Sequence, residues 1–181
     1  LEDAQQAMIV VRGHAKEWGL DPTRIGIIGF SAGGHLASTL GTHFSKEYVA
    51  NPNKISLRPD FMVLIYPVIS MDEKIAHMGS RTALLGPQPS ESQLQAFSNE
   101  LHVTKDTPPT LLLHSADDGV VDVDNSIRFF EALRHADVTV DMTIFDKGEH
   151  GFILIPKDRW QSLVISWIVS NGWTESKAST R

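Results

Sequence analysis

Gly29-Phe30-Ser31-Ala32-Gly33 sets a serine between two glycines, the G-x-S-x-G pattern in which a strained turn raises a hydroxyl for nucleophilic attack. With glycine and serine each near 7% of ordinary sequences, a chain of this length holds a chance match about one time in twenty, so the surroundings must decide. Two further runs carry the partners such a hydroxyl needs. His114-Ser115-Ala116-Asp117-Asp118-Gly119-Val120-Val121 supplies carboxylates, and Asp146-Lys147-Gly148-Glu149-His150-Gly151-Phe152 supplies an imidazole. The chemistry these types allow is acyl transfer: His150 as general base, a carboxylate holding its tautomer, and Ser31 attacking a carbonyl. From the residues alone either aspartate could serve, and strand alternation aims only one of two neighbours at the histidine.

The elements that must position these groups are legible as periodicities. Ile25 to Phe30 is a short, continuously apolar run, which predicts a strand covered on both faces and delivering the chain to Ser31. Ala32 to about Phe44 follows as a helix. Its start places the dipole and the Ala32 N–H beside the developing oxyanion, and both flanking glycines are expected to spare collisions with the neighbouring strand and helix. Phe61 to Tyr66 and Thr110 to His114 are two more buried strands. Val138, Val140, Met142 and Ile144 alternate with polar residues, which predicts a half-exposed edge strand. All the reactive runs then emerge at the carboxyl ends of strands.

Helices fill the intervals. One is expected from Ala4 to Trp18, stopped by Gly19; one through Val123 to Leu133, capped by Asp122 or Asp124; and one through Trp160 to Ile168. Residues 68 to 109 hold no strong strand and are punctuated by Gly86, Pro87, Pro89 and Pro108-Pro109, which predicts short helices and loops serving as a cap. The tail after Trp173 is polar and expected to fray. The alternation of strand and helix gives an α/β class with a mostly parallel sheet and helices on both faces, in a single domain spanning 1–181. The wholly apolar first strand has nothing before it to pair with its outer edge, so the expectation is a chain that begins inside a larger fold, with an exposed edge through which a homo-oligomer could form.

Composition excludes several classes. A formal charge of −6 argues against nucleic acid as a partner. No apolar run approaches the roughly 20 residues of a membrane helix. The absence of cysteine removes disulfides and thiolate metal sites. No second histidine lies at a metal-ligand spacing from Glu149-His150, so neither metal nor organic cofactor is expected.

Gly-Phe-Ser-Ala-Gly-Gly-His-Leu-Ala at 29 to 37, the double aspartate with Val-Val at 117 to 121, and Lys-Gly-Glu-His-Gly-Phe at 147 to 152 resemble the acetyl xylan esterase-like branch of the α/β-hydrolases. The chain order serine, aspartate, histidine is that of the same superfamily. The resemblance implies Ser31 as nucleophile, His150 as base, Asp118 as acid and Ala32 as an oxyanion donor. It implies removal of acetyl or other short acyl groups from sugars such as xylan, in a secreted or periplasmic setting. Two departures stand out. Asp122 replaces the usual proline, and the His-Gly-Gly loop that completes the oxyanion hole has no counterpart in 1–181, where losing one donor costs about 10²- to 10³-fold in rate.

Two other readings share these residues: a peptidase or lipase on the same fold, and a partial, non-catalytic hydrolase domain acting through association. His35, one turn past Ser31, is expected to pack or hydrogen-bond beneath the turn, His114 to be a satisfied core histidine, and Trp160 and Trp167 to be core. Gln88, Asn99 and His102 could line a cleft, though a solvated loop is the simpler expectation.

Overall fold

A computed structural model describes residues 1–174; the polar tail, from 175 on, lies outside the described residues. The order is α1 (Glu2–Gly13), β1 (Ile27–Phe30), α2 (Ala32–His43), β2 (Met62–Ile65), α3 (Met78–Leu85), α4 (Glu91–Phe97), β3 (Thr110–Ser115), α5 (Asp124–His135), β4 (Val140–Phe145) and α6 (Lys157–Ser170). Single 3₁₀ turns occupy Asn99–His102 and His150–Phe152.

The four strands form one sheet in the order β1-β2-β3-β4, every pair parallel. Phe30 lies opposite Ile65, and Ile65 opposite Leu113, with β3 running two residues further to Ser115 opposite Phe145, so the loops that follow the strands share one rim. β2 and β3 are buried throughout. Their alternation splits the core: Val63, Ile65, Leu111 and Leu113 pack with Trp167 of α6, while Met62, Leu64 and Leu112 pack with Ala37 of α2 and with Phe129 and Leu133 of α5. Burying a side chain such as Phe129 contributes about 1.5–3 kcal/mol, and it is fully enclosed.

Four expectations need correction. β1 is not covered on both faces: it is an outer strand of the described sheet, so it has one neighbour, and Ile28 is 50% exposed. Phe30 finds partial cover against Tyr66 and Trp160. The first helix stops at Gly13, a residue that weakens a helix interior. Trp18 stands in the turns that follow, half-exposed and stacked on His14. At α5, Asp124 caps nothing, since Val123 is already helical at φ −57 and ψ −23 and it is Asp122 that accepts the Asp124 N–H at 2.8 Å. Asn99 is no cleft or loop residue; it is buried, donating to Ser38 Oγ at 2.8 Å and to the carbonyl of His35 at 3.2 Å, and so pins the segment after α4 to α2. Residues 91–97 are helical because Ser90 and Gln93 form a reciprocal capping box. Among the described residues, no helix is long and apolar enough to cross a membrane.

Candidate active site

Ser31 sits between β1 and α2 at φ 51 and ψ −122, a backbone region that side chains avoid. It is held there from three sides. Its N–H donates to Ile65 O at 3.0 Å, and its carbonyl accepts from Gly34 N–H at 2.9 Å and Val68 N–H at 3.0 Å. Such strain persists only where neighbours over-determine it. Gly29 is obligatory here, because a Cβ would stand 2.3 Å from Gly33 O and 2.8 Å from Ala37 Cβ. Gly33 differs from expectation: its Cβ would meet open space among the described residues, and it is Gly34 whose Cβ would meet Pro67 at 2.5 Å. Ala32 is the first residue of α2, where an N–H has no intrahelical acceptor and is free to meet an anion.

The loops after β3 and β4 bring two more side chains to Ser31. His150 Nε2 lies 2.9 Å from Ser31 Oγ, and His150 Nδ1 lies 2.8 Å from Asp118 Oδ2. A carboxylate only accepts, so Nδ1 carries the proton and Nε2 is left to accept from the serine hydroxyl. The Asp118 side chain is fully enclosed while His150 keeps 23% of its side chain exposed. Burial opposes the charge on Asp118, but the N–H groups of Val121 and Val120, both 2.9 Å from Oδ1, and the donor from His150 outweigh it and hold the carboxyl below its ordinary value. Tyr66, at φ 38 after β2, sets its ring edge-on to the imidazole with centroids 4.8 Å apart.

Asp117 and Asp118 both reach the histidine loop. β3 ends at Ser115, so strand alternation no longer governs them. Asp118 takes the imidazole, and Asp117 Oδ1 accepts the N–H groups of Gly148 at 2.8 Å and Glu149 at 2.9 Å. His114 is buried, its Nε2–H facing Val121 O at 3.0 Å and Asp118 Oδ2 at 3.3 Å, its Nδ1 accepting from Ser126 Oγ at 2.7 Å. Burial pushes its basicity down. His35 also stays out of the hydroxyl's reach, with Nε2 bonded to Phe97 O at 2.8 Å. Trp167 is buried and Trp160 partly buried against the α6 side of the core. Residue type and spacing left no signal for Tyr66. Among the described residues no group of three or more His, Asp or Glu side chains could hold a metal ion. A mainly apolar cavity of about 340 Å³ opens beside Ala32 between α2 and the α3–α4 segment, lined by His35, Leu36, Leu84 and Phe97.

Residues 1–133 match the BD-FAE family. The chain belongs to it. This BD-FAE chain is 36% identical over 154 residues to an acetylxylan esterase of Xylanibacter ruminicola, covering 83% of the chain and 30% of that protein. It is 37% identical over 153 residues to endo-1,4-beta-xylanase B of Butyrivibrio fibrisolvens, covering 83% and 24% respectively. The chain thus spans about a third or less of these curated relatives. Among solved structures it resembles an acetyl ester-xyloside bifunctional hydrolase from Caldicellulosiruptor lactoaceticus, with a TM-score of 0.89 at 42% identity over 96% of this chain and 66% of that one. Esterases of this kind share its parallel sheet flanked by helices, and the BD-FAE chain has the α/β-hydrolase fold.

Proposed function

We propose that this chain carries the catalytic centre of a serine esterase that removes short acyl groups, acetyl foremost, from carbohydrates such as xylan. The observation that carries the reading is the continuous relay from Ser31 Oγ through His150 to Asp118, with both links under 3 Å. His150 Nε2 takes the Ser31 proton as Oγ bonds to the ester carbonyl carbon, and the carbonyl oxygen becomes an oxyanion facing the Ala32 N–H. Asp118 stabilises the imidazolium without itself taking the proton. The carbon–alkoxide bond then breaks, and His150 returns its proton to the departing sugar oxygen. Water, deprotonated by His150, attacks the acyl-enzyme; the acid leaves and Ser31 recovers its proton.

The choice of acetylated sugar rests on the similarity to an acetylxylan esterase and to an acetyl ester-xyloside bifunctional hydrolase. The apolar cavity beside Ala32 offers room for the substrate, with residues 68–109 as its cap. No step needs a metal or an organic cofactor. The test compares kcat/KM of the full-length protein on acetylated xylo-oligosaccharide, a long-chain ester and a peptide, with Ser31→Ala as control. The acetyl ester should lead and S31A should abolish its turnover. Preference for the long-chain ester or the peptide would turn the reading to a lipase or peptidase, and undiminished turnover by S31A would remove Ser31 from the chemistry.

A further inference from the structure

Between β4 and α6 the chain must deliver an imidazole to a fixed point through a backbone that is locally unfavourable. Glu149 lies at φ 54, Gly151 at φ 81 and Phe152 at φ 54, so the residues on both sides of His150 occupy the left-handed region, two of them bearing a Cβ. Such a segment holds one shape only if its surroundings impose it. Part of that constraint is packing. A Cβ on Gly148 would come within 2.2 Å of Ser115 Oγ and 2.6 Å of Ile155 Cδ1, so the loop is pressed against the end of β3 at that residue.

The other part is Asp117. Its Oδ1 accepts from both Gly148 N–H at 2.8 Å and Glu149 N–H at 2.9 Å, the two amides immediately before His150. A carboxylate makes such bonds stronger than a neutral acceptor would. The bonds straddle the entry into the positive-φ residue Glu149 and span 31 and 32 positions of sequence. One turn after β3 therefore grips the histidine loop twice, Asp118 by the imidazole and Asp117 by the backbone.

We propose that Asp117 is a positioning residue of the esterase, acting through the backbone of the His150 loop to hold Nε2 in line with Ser31 Oγ. This rests on the reading of Ser31, His150 and Asp118 given above. Asp117 touches neither the imidazole nor the hydroxyl, so its loss leaves the reacting groups present but misplaced, and displacements of about 1 Å can cost roughly 10²-fold.

The test uses the full-length protein with Asp117→Ala, Asp117→Asn and Ser31→Ala. Turnover of an acetyl ester is measured beside the rate of phosphonylation by a fluorophosphonate, which reports the hydroxyl's reactivity without sugar binding. D117A should lower kcat and the phosphonylation rate together by about 10- to 100-fold, with KM changed by less than about threefold. D117N keeps the acceptor oxygen and loses only the charge, so it should stay within about threefold of the parent in both. D117A equal to the parent, or D117N as impaired as D117A, overturns the proposal. Should D117A fail to fold, Asp117→Ser takes its place: its shorter side chain cannot reach both amides, so it must show the same joint loss, and a folded D117S equal to the parent overturns the proposal. S31A separates the two levels: active S31A sinks the nucleophile itself, whereas inactive S31A with unimpaired D117A sinks only the positioning role.

Discussion

Replacing Asp118 by asparagine keeps the shape of the side chain and changes one atom's hydrogen-bonding sense. Oδ1 already accepts the N–H groups of Val120 and Val121, both at 2.9 Å, so the carboxamide oxygen must stay there and its NH₂ must take the place of Oδ2. That NH₂ then faces His150 Nδ1 at 2.8 Å and the Nε2–H of His114 at 3.3 Å. To accept from it, Nδ1 gives up its proton to Nε2, and an N–H points at the hydroxyl it should deprotonate. The flipped amide keeps the right tautomer but leaves two backbone donors without an acceptor, about 1–3 kcal/mol each. The pair suppresses that competent form by roughly 10²- to 10⁴-fold at 1.36 kcal/mol per decade. D118N should therefore lose about 10²- to 10⁴-fold in kcat on an acetyl ester, in the range expected for a wrong-tautomer histidine. The assay is steady-state turnover by the full-length protein with circular dichroism to establish folding. A folded D118N retaining more than about a tenth of parental kcat would refute the tautomer argument.

Three further outcomes follow from the packing around the site. Gly29→Ala should destabilise by about 1–3 kcal/mol and silence the hydroxyl, because its Cβ meets Gly33 O at 2.3 Å; Gly33→Ala, facing open space among the described residues, should be neutral or stabilising by about 0.5–1 kcal/mol in urea unfolding. Asn99→Ala should cost about 1–3 kcal/mol in the same measurement, since it removes the buried amide that ties the segment after α4 to α2, while Ser38 Oγ and Thr39 Oγ1 go on donating to the His35 carbonyl. His35 and His114 are both held below their ordinary value, chiefly by burial, so below about pH 6.5 the unfolded chain binds protons that the folded chain refuses. Stability should thus fall as pH drops through 6.5, by up to about 1.4 kcal/mol per pH unit for each histidine, and an unfolding midpoint unchanged between pH 7.5 and 5.5 would contradict it.

What could be read without coordinates follows from where burial is complete. β2 and β3 are enclosed on both faces, and their unbroken apolar runs, such as Met62–Ile65, read correctly as buried strands, whereas the same pattern at Ile25–Phe30 overstated the burial of β1 because a run of residue types does not reveal which strands have two neighbours. Ser31 was legible because its strained turn demands particular neighbours, although only Gly29 and Gly34 prove sterically required. The choice between Asp117 and Asp118 could not be read from periodicity, because β3 ends at Ser115 and a turn has no period. Tyr66 carried no signal, since an aromatic at a strand end is ordinary and its edge-on contact with His150 is made across 84 positions by the fold alone. The start of α4 went unread although Ser90 and Gln93 form a capping box, because its apolar stripe is only Leu94 and Phe97, both partly buried, too short a repeat to betray a helix.

The esterase chemistry requires that the hydroxyl at residue 31 be the atom that becomes acylated. Peptide mapping of the full-length protein after reaction with a fluorophosphonate tests this directly. One equivalent of label on the peptide bearing Ser31, with turnover lost in proportion and labelling abolished in His150→Ala, is the predicted result. Label on another residue, or full turnover after Ser31 has been modified, would contradict it.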